Sequence, residues 1–107
     1  MSTAPRSEIL KVAALVEYQG GAVVSRQITK AEGGNVTLFA FDQHQELSEH
    51  TAPYDALLHV LEGEAEITIS GKPFLLRAGE AIIMPANGSH AVKAIQQFKM
   101  LLTMIKA

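Results

Sequence analysis

Glycine recurs at positions 63, 71, 79 and 88, and short segments of alternating apolar and polar residues lie between them. Such intervals are too short for the crossover helix that a parallel βαβ unit needs. They suit hairpins. Residues 64–70 set Ala65, Ile67 and Ile69 against Glu66, Thr68 and Ser70, the period of a half-buried strand. Gly71–Lys72 predicts a hairpin turn into residues 73–77, and Ala78–Gly79 predicts the next reversal, before residues 81–84. Residues 85–89 read as a turn-rich loop, with 90–95 and 98–105 as the last two strands. Upstream, residues 56–62 form a strand stopped by Gly63, and Pro53 belongs at its entry because it has no ladder donor. The pairs Gly20–Gly21 and Gly33–Gly34 precede strands over 22–30 and 35–42. Between them and Pro53, DQHQELSEH reads as a polar connector. Residues 9–16 admit a short strand or a single helical turn. The total is eight or nine short strands, which predicts an all-β sandwich or barrel of mainly antiparallel strands.

At 107 residues the chain is expected to be one domain. Nine Lys and Arg against eleven Asp and Glu leave a net charge of −2, which gives no electrostatic footprint for nucleic acid or an anionic membrane. Cysteine is absent, so disulfides, thiolate nucleophiles and thiolate-bound metals are excluded. Residues 1–7 lead into Glu8 rather than an apolar run, unlike a signal peptide. A cytoplasmic location is the expectation. No phosphate loop, dinucleotide fingerprint or nucleophile elbow occurs, and Ser89 beside His90 is only a sequence neighbour.

Two strands are apolar on both sides. Residues 98–105 put Phe98, Met100, Leu102 and Met104 on one side and Lys99, Leu101, Thr103 and Ile105 on the other. Phe39 and Phe41 oppose Val36, Leu38 and Ala40 in the same way. One small core cannot take both rows, because a one-sided strand alternates cleanly. Burial of an apolar outer sheet face in a homodimer resolves the conflict, with coverage by terminal segments as the competing account.

Two segments carry a resemblance to a known family: HTAPYDALLHVLEGEAEITISGK from His50, and GEAIIMPANGSH, where Gly79, Pro85 and His90 hold characteristic spacing. Over residues 35–105 the chain resembles a small single-domain cupin, of the RmlC-like conserved-barrel type. The resemblance implies a jelly-roll double-stranded β-helix whose sheets curl around a central pocket, often with a divalent metal. It divides the chain into an N-terminal segment, 1–34, whose short strands join the barrel or a dimer, and a cupin core, 35–107, together one domain.

The family's metal pattern transfers only in part. His50 and His90 match two histidine ligands, whereas Ala52 and Ala56 stand where a histidine and a glutamate are usual. Alanine has no donor atom, so the protein ligand set is incomplete. A zinc, nickel, iron, copper or manganese ion is the cofactor to consider, held by His50 and His90 with His44 as a third candidate. Asp55 has the wrong strand parity to replace the glutamate, and His59 shares that parity and falls on the outer face or a dimer contact. Pocket candidates besides the two histidines are Tyr54, as an aromatic wall with a phenol, Met84 and Met100, as apolar lining or plain core, and Lys99, as a cation for an acidic ligand or a subunit contact. Glu62, Glu64 and Glu66 read as a solvated acidic face.

Two functions are in contention. One is a small-molecule-binding, noncatalytic cupin in which the alanines widen and depolarise the pocket. The other is a divalent-metal-assisted enzyme of oxygenase, isomerase or lyase class acting on a small organic substrate. The fold leaves the choice to the site.

Overall fold

The computed structural model describes residues 3–106. Nine strands run in chain order: β1 (Val23–Ala31), β2 (Gly34–Phe41), β3 (Glu46–His50), β4 (Tyr54–Glu62), β5 (Glu64–Ile69), β6 (Lys72–Arg77), β7 (Ala81–Met84), β8 (His90–Ala94) and β9 (Phe98–Lys106). They form a five-stranded sheet, ordered β1-β2-β9-β4-β7, and a four-stranded sheet, ordered β3-β8-β5-β6, with every pairing antiparallel. The fold is an all-β jelly roll. Among the described residues the one helical element is a 3-10 turn, Val12–Leu15, where the sequence allowed a strand or a turn.

Alternation builds the core. Ala56, Leu58 and Val60 of β4 meet Ala65 and Ile67 of β5, Val92 and Ala94 of β8, and Phe98 and Met100 of β9, all buried. Phe41 and Phe98 stack with ring centroids 4.6 Å apart. The chain passes from one sheet to the other at Gly63, where φ is 81° and an added Cβ would fall on the Gln97 carbonyl oxygen and on Phe98. Only glycine fits this corner.

Three details depart from the sequence reading. Residues 46–50 are not connector but the edge strand β3, whose side chains are mostly exposed, which explains a polar composition in a real strand. The β5–β6 turn is Ser70–Gly71, one residue earlier than expected. Both have positive φ, 48° and 81°, which matches the twist of the flanking strands. The three glutamates do not share one solvated face: Glu62 accepts a hydrogen bond from Tyr18 at 2.6 Å, and Glu64 pairs with Arg77 at 3.1 Å.

The second apolar face has a partial explanation inside the chain. Val16, Leu38 and Ala40 form a small second cluster with Val12, Leu15, Tyr18, Ile28, Leu61 and Leu101 on the outer side of the five-stranded sheet. The N-terminal segment therefore covers the β1-β2-β9 half of that face. Leu57, Ile83 and Ile105, on the remainder, stay exposed.

Candidate functional site

Antiparallel pairing sets His50, the last residue of β3, opposite His90, the first residue of β8. Strict alternation would not turn them toward each other. Leu47 lies opposite Val92, so His50, three residues on, would point to the outer face. The register slips between Leu47 and His50, so that three steps on β3 match two on β8. That extra residue reverses the parity of His50. The rings end edge to face, with centroids 4.3 Å apart.

Both rings are oriented by the same local contact. Nδ1 of His50 donates to the Ser48 carbonyl at 2.8 Å, and Nδ1 of His90 donates to the Gly88 carbonyl at 3.4 Å. A carbonyl only accepts, so each Nδ1 carries the hydrogen, and in its neutral form each ring keeps a lone pair on Nε2. His50 is exposed and His90 is buried. Burial holds the His90 pKa below its ordinary value; a charge on His50 would lower it further, and the Gly88 carbonyl opposes both. His90 is therefore a neutral imidazole at pH 7.

The loop that delivers His90 is held in place by backbone and carboxylate contacts. Asn87 N donates to the Ala52 carbonyl at 2.8 Å, and Ala86 N donates to Asp55 Oδ1 at 2.9 Å. Asp55 is occupied as a loop tether and is not a stand-in for the usual glutamate. Tyr54, half-buried, has the inward parity of Ala56 at this same end of the sandwich.

The other candidates lie elsewhere. His44 sits in the β2–β3 turn, with its backbone N bonded to the Ala94 carbonyl. Ala94 closes the far end of β8, four residues from His90 or about 13 Å along a strand, so His44 is no third ligand. Met84 and Met100 are closed into the core at 2% and 1% exposure. Lys99 is on the opposite side of β9 from Met100. Its Nζ donates to the Ala13 carbonyl at 2.6 Å, lies 3.7 Å from Glu62 and 5.0 Å from the Tyr18 ring centre, and so pins the N-terminal segment to the sheet. The anticipated acid partner exists, but in the same chain. Sequence reasoning missed this anchor; the signal was a lysine within an apolar strand of a chain with a spare tyrosine upstream. An open cleft of about 500 Å³ lies at the end remote from the histidines, beside Tyr18, Gln43, Glu62 and Gln97. Glu62 is already engaged there by Tyr18 and Lys99, and no imidazole lines it.

A two-sheet jelly roll with paired imidazoles at one end defines the cupin class of architecture. The comparisons agree. The Cupin domain family matches residues 37–106, and the chain belongs to that family. A conserved protein of unknown function from Streptococcus pyogenes is 32% identical, with 100% of this chain and 96% of that one covered and a TM-score of 0.91. A cupin superfamily protein from Desulfitobacterium hafniense is 27% identical over 99% and 97% of the two chains, TM-score 0.91. A cupin 2 conserved barrel domain protein from Leptotrichia buccalis is 40% identical over 91% of this chain and 47% of that one, TM-score 0.88. No curated protein matches the chain.

The donor set does not fit the metal centre that the family often carries. Two imidazoles converge, positions 52 and 56 offer only methyl groups, and among the described residues no group of three or more His, Asp or Glu side chains is placed to hold an ion. Secure protein-held sites use three or four ligands.

Proposed function

We propose that this cupin binds a small molecule at the His50–His90 end of the sandwich, through imidazole nitrogens rather than a resident metal. One observation carries the reading: both Nδ1 atoms are spent on backbone carbonyls, in two rings whose centroids lie 4.3 Å apart, so each neutral ring has its Nε2 left as an acceptor. Neutral Nε2 accepts hydrogen bonds, so the pair suits a ligand rich in hydroxyl, amine or amide donors. Ala52 and Ala56 place no competing donor at this end, and Ala56 is packed into the core. Tyr54 adds an aromatic edge and a phenol. Such a site recognises and orients a donor-bearing ligand through its acceptor nitrogens.

Protein purified without an affinity tag tests the reading. Elemental analysis is expected to find far less than one equivalent of any divalent metal. A thermal-shift screen of small polyols, amides and amines is expected to yield compounds that raise the wild-type melting temperature and leave His50→Ala and His90→Ala unmoved. Near-stoichiometric metal in the wild type, lost in both variants, would overturn it in favour of the metal-assisted enzyme.

A further inference from the structure

The cleft at the end of the sandwich remote from the histidines measures about 500 Å³, within the roughly 300–1,000 Å³ of small-ligand sites. Four segments enclose it. Tyr18 comes from the N-terminal segment, Gln43 from the β2–β3 turn, Glu62 and Gly63 from the β4–β5 corner, and Gln96 and Gln97 from the β8–β9 loop. Backbone contacts fix the two loops. Ile95 N and Gln96 N both donate to the Glu64 carbonyl, at 3.1 and 3.3 Å, and Gln45 N donates to the Asp42 carbonyl at 3.2 Å.

The hydrogen-bonding groups of the cleft are sorted by kind. Gln43 Nε2 donates to the Ile95 carbonyl at 3.3 Å, and Gln97 Nε2 donates to Asp42 Oδ1 at 3.0 Å. Both partners only accept. The Gly21 N–H, 2.7 Å from Oδ2, and then the Gln97 amide hold the Asp42 carboxyl below the usual carboxylate range. The nitrogen of each amide is therefore turned into the protein, and Oε1 of each has no donor among the described residues. The Tyr18 hydroxyl stays protonated, its pKa raised by burial and then by Glu62, and it donates to Glu62 Oε1 at 2.6 Å. Lys99 Nζ stands 3.7 Å from the same oxygen, while Glu62 Oε2 has no donor among the described residues. Gln96 is exposed and can turn either end of its amide inward.

We propose that this cleft is a second binding site, which takes the ammonium group of a small aliphatic amine, with Glu62 Oε2 and the amide oxygens of Gln43 and Gln97 as its acceptors. A primary ammonium brings three N–H donors and a positive charge, which answer three open oxygens, one of them on a carboxylate. An anion would meet Glu62 instead, and Lys99 could not answer it, being 8% exposed and spent on the Ala13 carbonyl. The acceptors are already oriented by their protein contacts, so little ordering is left for binding to cost. This site shares no residue with the histidine end and does not depend on what binds there.

Titration of ¹⁵N-labelled protein with butylamine at constant ionic strength tests it. Butanol keeps the chain without the charge, and tetramethylammonium keeps the charge without an N–H donor. A fragment as small as butylamine is expected to bind with a Kd of about 1 mM. The side-chain amide resonances of Gln43 and Gln97 are expected to shift saturably with butylamine, to stay in place with the other two compounds, and to respond in the same way in His50→Ala. Glu62→Gln keeps an acceptor for Tyr18 and removes the charge, and it is expected to weaken binding about tenfold. Gln43→Ala, at an exposed position, is expected to weaken it about threefold. Unchanged circular dichroism shows that each variant folds. The proposal is overturned by the absence of saturable shifts, by an equal response to butanol or tetramethylammonium, by shifts that vanish in His50→Ala, or by a folded variant of either residue that binds like the wild type.

Discussion

His90 carries the sharpest electrostatic consequence of any single residue. Burial lowers its pKa below the ordinary 6.5, so the unfolded chain takes up a proton near that pH while the folded chain does not. Stability therefore declines as pH falls through about 6.5, until the folded value is reached. Urea unfolding at pH 7.5 and 5.5 is expected to show a smaller loss for His90→Gln than for the wild type; an equal loss would show that this imidazole is not the group responsible. The absent ligands give a second test at this scale. Ala52→His with Ala56→Glu returns the missing donors, and the double variant is expected to bind one equivalent of zinc or manganese by calorimetry where the wild type binds none tightly. The glutamate enters a core position 5% exposed, beside Met84 and Met104 in register, so a loss of about 1–3 kcal/mol in stability is expected as well. The resemblance to the family's motif showed which donors were missing, since an alanine at 52 or 56 is legible as such. It did not show that His50 turns inward, because that depends on one extra residue between Leu47 and His50.

Among the elements, the N-terminal segment depends most on a single contact. Lys99, 8% exposed, ties it to the sheet through the Ala13 carbonyl, with Glu62 and Tyr18 around the ammonium. Tyr18 shares this shelter: burial first, then the Glu62 carboxylate, raises its pKa. Lys99→Met keeps the stem and removes the donor. It is expected to speed amide exchange over residues 12–18 and to cost about 1–3 kcal/mol, with β4 and β5 protection falling only in proportion to global stability. Gly63→Ala is expected to cost more than about 2 kcal/mol, from positive φ and the collision with Gln97 together. The hairpins were readable because alternation and glycine agree in 64–84. Strand β3 was not, since an edge strand with one inward leucine has the composition of a loop. The 3-10 turn was ambiguous for the same reason in reverse: Val12, Leu15 and Val16 meet a sheet face, and no periodicity reports a contact so distant in sequence.

At the scale of the molecule, two sheets close a core at one level and fix a pair of rings at one end. The fold was largely legible, because eight or nine short alternating strands with glycines at the reversals leave few architectures. The site was half legible. The resemblance to the two cupin motifs singled out His50 and His90, while solvent access and the position of Lys99 follow from which side of β9 meets which layer. The proposed function rests on the two Nε2 atoms being unprotonated acceptors, free of a resident ion.

Long-range ¹⁵N NMR of the histidine side chains at pH 7.5, recorded before and after addition of small polyols and amides, measures this directly. Both rings are expected to show hydrogen on Nδ1 and a bare Nε2, and a binding compound is expected to shift the Nε2 resonances of His50 and His90 together. Hydrogen on Nε2, a metal-shifted Nε2 in the untreated protein, or compounds that bind without moving either ring would contradict the account.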